Sequence, residues 1–171
     1  MAKVGSICLT LDDGLYAGIG AVISRWATLE FLLQNIIWRA MGLENAQGRV
    51  LTVGMPIEKL AGILRNLPNR WITDETVKAD LKALLDDIRE TVDLRNYLAH
   101  GIWTTYPDEQ HKTPHLNFMK TGPQKIMPGA QPITAEELRL TAESIHLLNV
   151  RASVILRVVG GVQLSSPDKP E

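Results

Sequence analysis

The stretch LYAGIGAVISRWATLEFLLQNIIW, residues 15–38, places the chain among helical bundles. Its apolar residues do not alternate in twos. They recur in steps of four and three, at Val22, Trp26, Leu29, Leu33, Ile36 and then Ala40, which sets all six on one stripe of an α-helix. Arg25 and Glu30 interrupt the run, so it reads as a bundle seam and not as a membrane span. The helix is expected to open near Asp12 or Asp13, whose carboxylates accept from orphan amides, and to run to about Gly42.

The same period continues on the C-terminal side. A short helical piece at residues 45–53 ends at Gly54, and Pro56 suits the first position of another helix with Ile57, Leu60, Leu64 and Leu67 inward, stopped by Pro68. Thr73 is the expected N-cap of a long helix whose inward positions are Val77, Leu81, Leu84, Ile88, Thr91 or Val92, and then Arg95. Between residues 101 and 132 the composition shifts to Gly, Pro, Thr and polar residues. Two short stretches there, 102–106 and 116–119, have strand character, giving a small β-hairpin or irregular insert. Thr134 and Glu137 have capping-box spacing and start a last helix with Leu138, Ala142, Ile145, Leu148 or Asn149, Ala152, and Ile155 or Leu156 on one face, closing near Gly160 and Gly161. The expectation is an all-α bundle of about five helices. It forms one helical domain over residues 1–164, with the insert at 101–132, followed by a disordered tail at 165–171 that has two prolines and no apolar anchor.

Composition excludes several function classes. The chain has 171 residues, 45% of them hydrophobic, enough to bury one sizeable core. Eighteen basic against nineteen acidic side chains leave no basic excess to hold nucleic acid by bulk electrostatics, so any such contact is local. One cysteine, Cys8, permits no internal disulfide framework and no cysteine-rich zinc site, and it fits a reducing cytoplasm. The apolar residues 7–11 are too few for a signal peptide.

The chemically unusual position is Arg95. Every inward step before it is apolar or nearly so, yet here the stripe delivers a guanidinium that cannot lose its charge. Burial without pairing is costly, so this end of the helix is expected either to pair it or to open into a pocket. Asn96 and His100 are four residues apart and share a helical face beside it, and Gly101 suits the C-terminal cap. An Arg neutralises a phosphate, an Asn orients a hydroxyl or a ring, and a His moves a proton near neutral pH. Together they can run phosphodiester cleavage without a metal. The plain alternative is an ordinary Arg and a surface His.

The run Arg95-Asn96-Tyr97-Leu98-Ala99-His100-Gly101, at the end of a long helix in an all-helical chain, resembles the HEPN superfamily signature of Arg, a polar residue, three variable residues and His. Residues 26–30, Trp-Ala-Thr-Leu-Glu, in a long earlier helix are also similar to members of that family. The resemblance implies a helical bundle that dimerises. It implies a metal-independent RNA endonuclease, with no cofactor, whose Arg and His from two subunits line one composite cleft. Position 102 is Ile where the toxin branch of the family carries Tyr, so modification of a tyrosine there by an antitoxin partner is not expected.

The remaining candidates each have a plainer reading beside the functional one. Glu30 is placed to orient Arg95 or His100, or else is a partly exposed carboxylate one step off the seam. Trp103 and Tyr106 are candidates to stack on bases, or else anchor the hairpin. His111 and His115 have the four-residue spacing of helical metal ligands, but Pro114 between them argues for a solvated loop. His146 falls one step off the last seam and reads as a satisfied or exposed helix histidine. The function expected is an RNase acting by 2′-hydroxyl attack, with Arg95, Asn96 and His100 catalytic, as a cytoplasmic homodimer with no membrane association and no metal. A non-catalytic helical dimer that binds a protein, such as an antitoxin, or a nucleotide is the alternative. Residues 74–93 of the motif helix, with seven acids against three bases, weigh against RNA except at a focused cleft.

Overall fold

In the computed structural model, residues 6–7, 11–67, 71–100, 102–105, 114–117 and 131–161 are described. Among them the chain forms an all-α bundle of five helices, α1 (Asp13–Ala40), α2 (Asn45–Thr52), α3 (Ile57–Arg65), α4 (Glu75–His100) and α5 (Ala135–Gly161). Four short strands accompany them, β1 (Ser6–Ile7), β2 (Ile102–Thr105), β3 (Pro114–Asn117) and β4 (Gln131–Pro132). None of the described helices is long and apolar enough to cross a membrane. The expected tail at 165–171 lies outside the described residues.

Helix ends follow local chemistry. The Asp12 carboxylate accepts from the Leu15 amide at 2.9 Å and opens α1. Gly42, at φ 65°, closes it: the Leu43 amide donates to the Trp38 carbonyl at 2.8 Å and the Gly42 amide to that of Arg39 at 3.2 Å, the paired bonds of a Schellman motif. Thr134 and Glu137 form the expected capping box, with the Thr134 amide donating to Glu137 Oε2 at 2.7 Å and the Glu137 amide to Thr134 Oγ1 at 3.2 Å. Two expectations need correction. Pro56 is the N-cap of α3 at ψ 156°, one position before the helix. Asp74, not Thr73, caps α4, because its Oδ1 accepts from both the Thr76 and Val77 amides, at 2.8 and 3.2 Å.

The chain divides into two compact units, threaded by α1, α4 and α5. The first comprises residues 1–26 and 91–145. In it the start of α1 meets the start of α5 so closely that a Cβ on Gly18 would lie 2.6 Å from the Leu138 Cβ. The unit also holds an antiparallel sheet in the order β1-β2-β3-β4. The expected hairpin is therefore its middle, with Trp103 opposite Leu116 and Thr104 opposite His115. The second strand starts at Pro114, two residues earlier than expected, and ends at Asn117. His115 is in a strand and not a loop, while His111 lies outside the described residues.

The second unit comprises residues 27–90 and 146–171. Here Trp38 holds α2 on the end of α1. Its indole Nε1 donates to Thr52 Oγ1 at 3.0 Å, Thr52 Oγ1 donates to the Gly48 carbonyl at 2.9 Å, and a Cβ on Gly48 would come within 2.4 Å of the ring. The α3 end is tied to α4 by Arg65, which donates to the Leu85 carbonyl at 2.9 Å and pairs with Asp86 at 3.2 Å. Arg151 of α5 pairs with Asp87 of α4.

The glycines in these helices divide by what a methyl group would meet. Gly48→Ala should lower stability by about 1–3 kcal/mol, because the indole is held by its hydrogen bond and cannot retreat. Gly20→Ala, mid-helix with nothing within 4 Å, should raise it by roughly 0.5–1 kcal/mol through helix propensity alone. Urea unfolding of the two variants measures both; equal shifts of the same sign would contradict the packing at Trp38.

Candidate functional site

The last two turns of α4 lie in the first unit and carry the candidate residues. The inward stripe of α4 runs through Ile88, Thr91, Arg95 and on to Leu98, which is 4% exposed. The sequence pattern had ended this stripe at Arg95. It continues, and Arg95 is an interior step of the packed face. A guanidinium at such a step needs a surface that accepts positive charge without offering water.

Trp26 supplies it. The ring is 1% exposed on the α1 seam, and the Arg95 Cζ stands 5.9 Å from its centroid, within cation–π range. Arg95 Nη1 also donates to Asn96 Oδ1 at 3.0 Å, so the neighbouring amide orients the guanidinium. Arg95 and Asn96 are half-buried, and His100 is exposed in the final turn. The structure therefore sets Arg95 against both Trp26 and Asn96.

His100 stands apart from that cluster by helix geometry. Five residues along an ideal helix turn the side chain about 140° round the axis and about 7.5 Å along it. Asn96, four residues before His100, shares its face within about 40°. Asn96 is thus the residue between the two, touching Arg95 and lying one turn below the imidazole.

The other candidates fall as follows. Glu30 is half-buried on α1 and falls within the second unit. Trp103 occupies β2, which follows α4 almost directly. Tyr106 lies outside the described residues. His146 is exposed on α5, as its position one step off the seam implies. Among the described residues no three His, Cys, Asp or Glu side chains converge. Trp26 is a contact residue of Arg95 that the sequence places only on the α1 seam and at the head of the segment 26–30, because nothing in a periodic pattern says which interior ring meets a cation on another helix.

Comparison of the chain with protein-family models, curated proteins and solved structures gives no match.

The contacts around Arg95 separate its structural share from that of His100. Arg95→Ala should lower stability by about 1–2 kcal/mol, from the lost cation–π contact with Trp26 and the lost hydrogen bond to Asn96. The exposed His100→Ala should stay within about 0.5 kcal/mol of the parent. Chemical denaturation checks both, and a large loss at His100 would mean that its side chain is part of the packing.

Proposed function

We propose that the chain is a metal-independent RNA endonuclease of the HEPN kind, working as a twofold homodimer in the cytoplasm. The observation that supports this reading most is the end of α4: a guanidinium within cation–π range of Trp26 and hydrogen-bonded to Asn96, followed in the last turn by an exposed imidazole. The run of residues 95–101 resembles the HEPN signature.

The chemistry is an internal transesterification. The 2′-oxygen of a ribose forms a bond to the adjacent phosphorus, the bond from phosphorus to the 5′-oxygen breaks, and the products are a 2′,3′-cyclic phosphate and a 5′-hydroxyl. One proton leaves the 2′-hydroxyl and another reaches the departing 5′-oxygen; His100 performs one of these transfers as base or acid. Arg95 stabilises the negative charge that grows on the phosphorane, and Asn96 holds the phosphate or the imidazole. Because Arg95 and His100 point about 140° apart on one helix, two copies facing each other assemble a shared cleft more readily than one copy does alone.

The second reading is a non-catalytic helical dimer that binds a protein, an antitoxin among the candidates, or a nucleotide. Charge favours it: residues 74–93 carry seven acids against three bases, which repels a polyanion along most of α4.

An RNA cleavage assay separates the two. With a pool of unstructured RNAs at pH 6 to 8, the wild type should cleave, chelator should leave the rate unchanged, and products should end in a 2′,3′-cyclic phosphate. His100→Ala should cost about two to four orders of magnitude in rate. Cleavage by neither protein supports the binding module, and equal cleavage by both indicts a contaminant. Light scattering tests the dimer independently: a 19.0 kDa particle at micromolar concentration rules out the shared cleft.

A further inference from the structure

A cavity of about 310 Å³ opens between α3 and the first half of α4, wholly inside the second unit. Its floor is apolar and is made by core side chains: Leu64, Ile72, Leu81 and Leu85 are all buried. Its rim is charged. Arg65 stands on it from the last turn of α3, and Lys78, Lys82 and Asp86 stand one turn apart along α4.

Two of the three cations are already matched. Arg65 pairs with Asp86 at 3.2 Å, and Lys78 Nζ pairs with Glu75 at 2.7 Å. Lys82 makes no ion pair among the described residues. Among its described lining residues the cavity therefore joins an apolar floor to one uncompensated positive charge, and its volume is at the small end of the range for small-molecule sites. Such a site selects by both properties. The leucine floor offers no partner for a polar body, while the ammonium favours an anionic head at the rim, where its own stem covers apolar surface and its charge stays at water. A second negative charge on the ligand would face Asp86 and Glu75.

We propose that this cavity binds a small amphipathic monoanion, a short fatty or aryl carboxylate, with its carboxylate on Lys82 and its apolar body on the leucine floor. The proposal stands independently of the nuclease reading, since none of these residues belongs to the α4 terminus.

Calorimetric titration of the full chain at pH 7 tests it, with octanoate as the probe and octanol and acetate as its two halves. Octanoate should bind; octanol should bind at least about tenfold more weakly, as expected for loss of a charge-assisted contact, and acetate should not bind detectably. Lys82→Glu changes an exposed side chain and keeps the fold. It should abolish octanoate binding and take octylammonium in its place. The proposal is overturned if octanoate fails to bind at millimolar concentration, if octanol binds as well as octanoate, or if Lys82→Glu leaves octanoate affinity unchanged.

Discussion

Arg95 is a charge on an interior stripe, and the end of α4 is arranged around what that costs. A guanidinium cannot be neutralised by proton loss, so a buried position must provide compensation. Part of that compensation is an aromatic face and an amide: the Trp26 ring lies beneath the guanidinium, and Asn96 Oδ1 accepts a hydrogen bond from it. Together they hold the guanidinium in one orientation on the packed face of α4.

That arrangement needs Trp26 to be held still, and the α1 seam holds it. Val22, Trp26, Leu29, Leu33, Ile36 and Ala40 are each at most 1% exposed, an unbroken line of interior contacts along a helix of 28 residues. In the first unit small residues bring the helices close enough for this to work, since Gly18 lets the Leu138 side chain lie directly on α1. In the second unit Gly48 does the same for the Trp38 ring, which Thr52 then fixes by a hydrogen bond. Two tryptophans on one helix have different uses, one as a platform for charge and one as a clamp for α2.

The chemistry and the charge distribution point to a localised site. Net charge is -1, and residues 74–93, the cap and most of α4, carry seven acids against three bases, so along this helix a polyanion would meet less repulsion toward Arg95 than over its first half. Lys82 presents a second and separate positive feature over an apolar floor, suited to a much smaller anion. The two features would select different ligands because their surroundings differ. One is an aromatic and amide setting at a helix end, the other a leucine-lined hollow between helices.

The helical class, the five segments and nearly all of the inward positions were legible in the sequence, because burying one stripe of an amphipathic helix forces apolar residues to recur at its own period. The same reasoning singled out Arg95, as the one cation on an inward step. Cap identities were less legible: Thr73 and Asp74 both satisfy the composition rule, and only the placement of the Asp74 carboxylate on two amides decides between them. The two-residue strands β1 and β4 were not legible, being too short for alternation to register, and they exist through pairing with β2 and β3. Above all, the meeting of Arg95 with Trp26 joins residues far apart in the chain, on two helices whose separate patterns carry no record of each other. A sequence determines which face each helix must hide; which ring then lies under which cation is decided by packing, because contact depends on how the hidden faces are brought together.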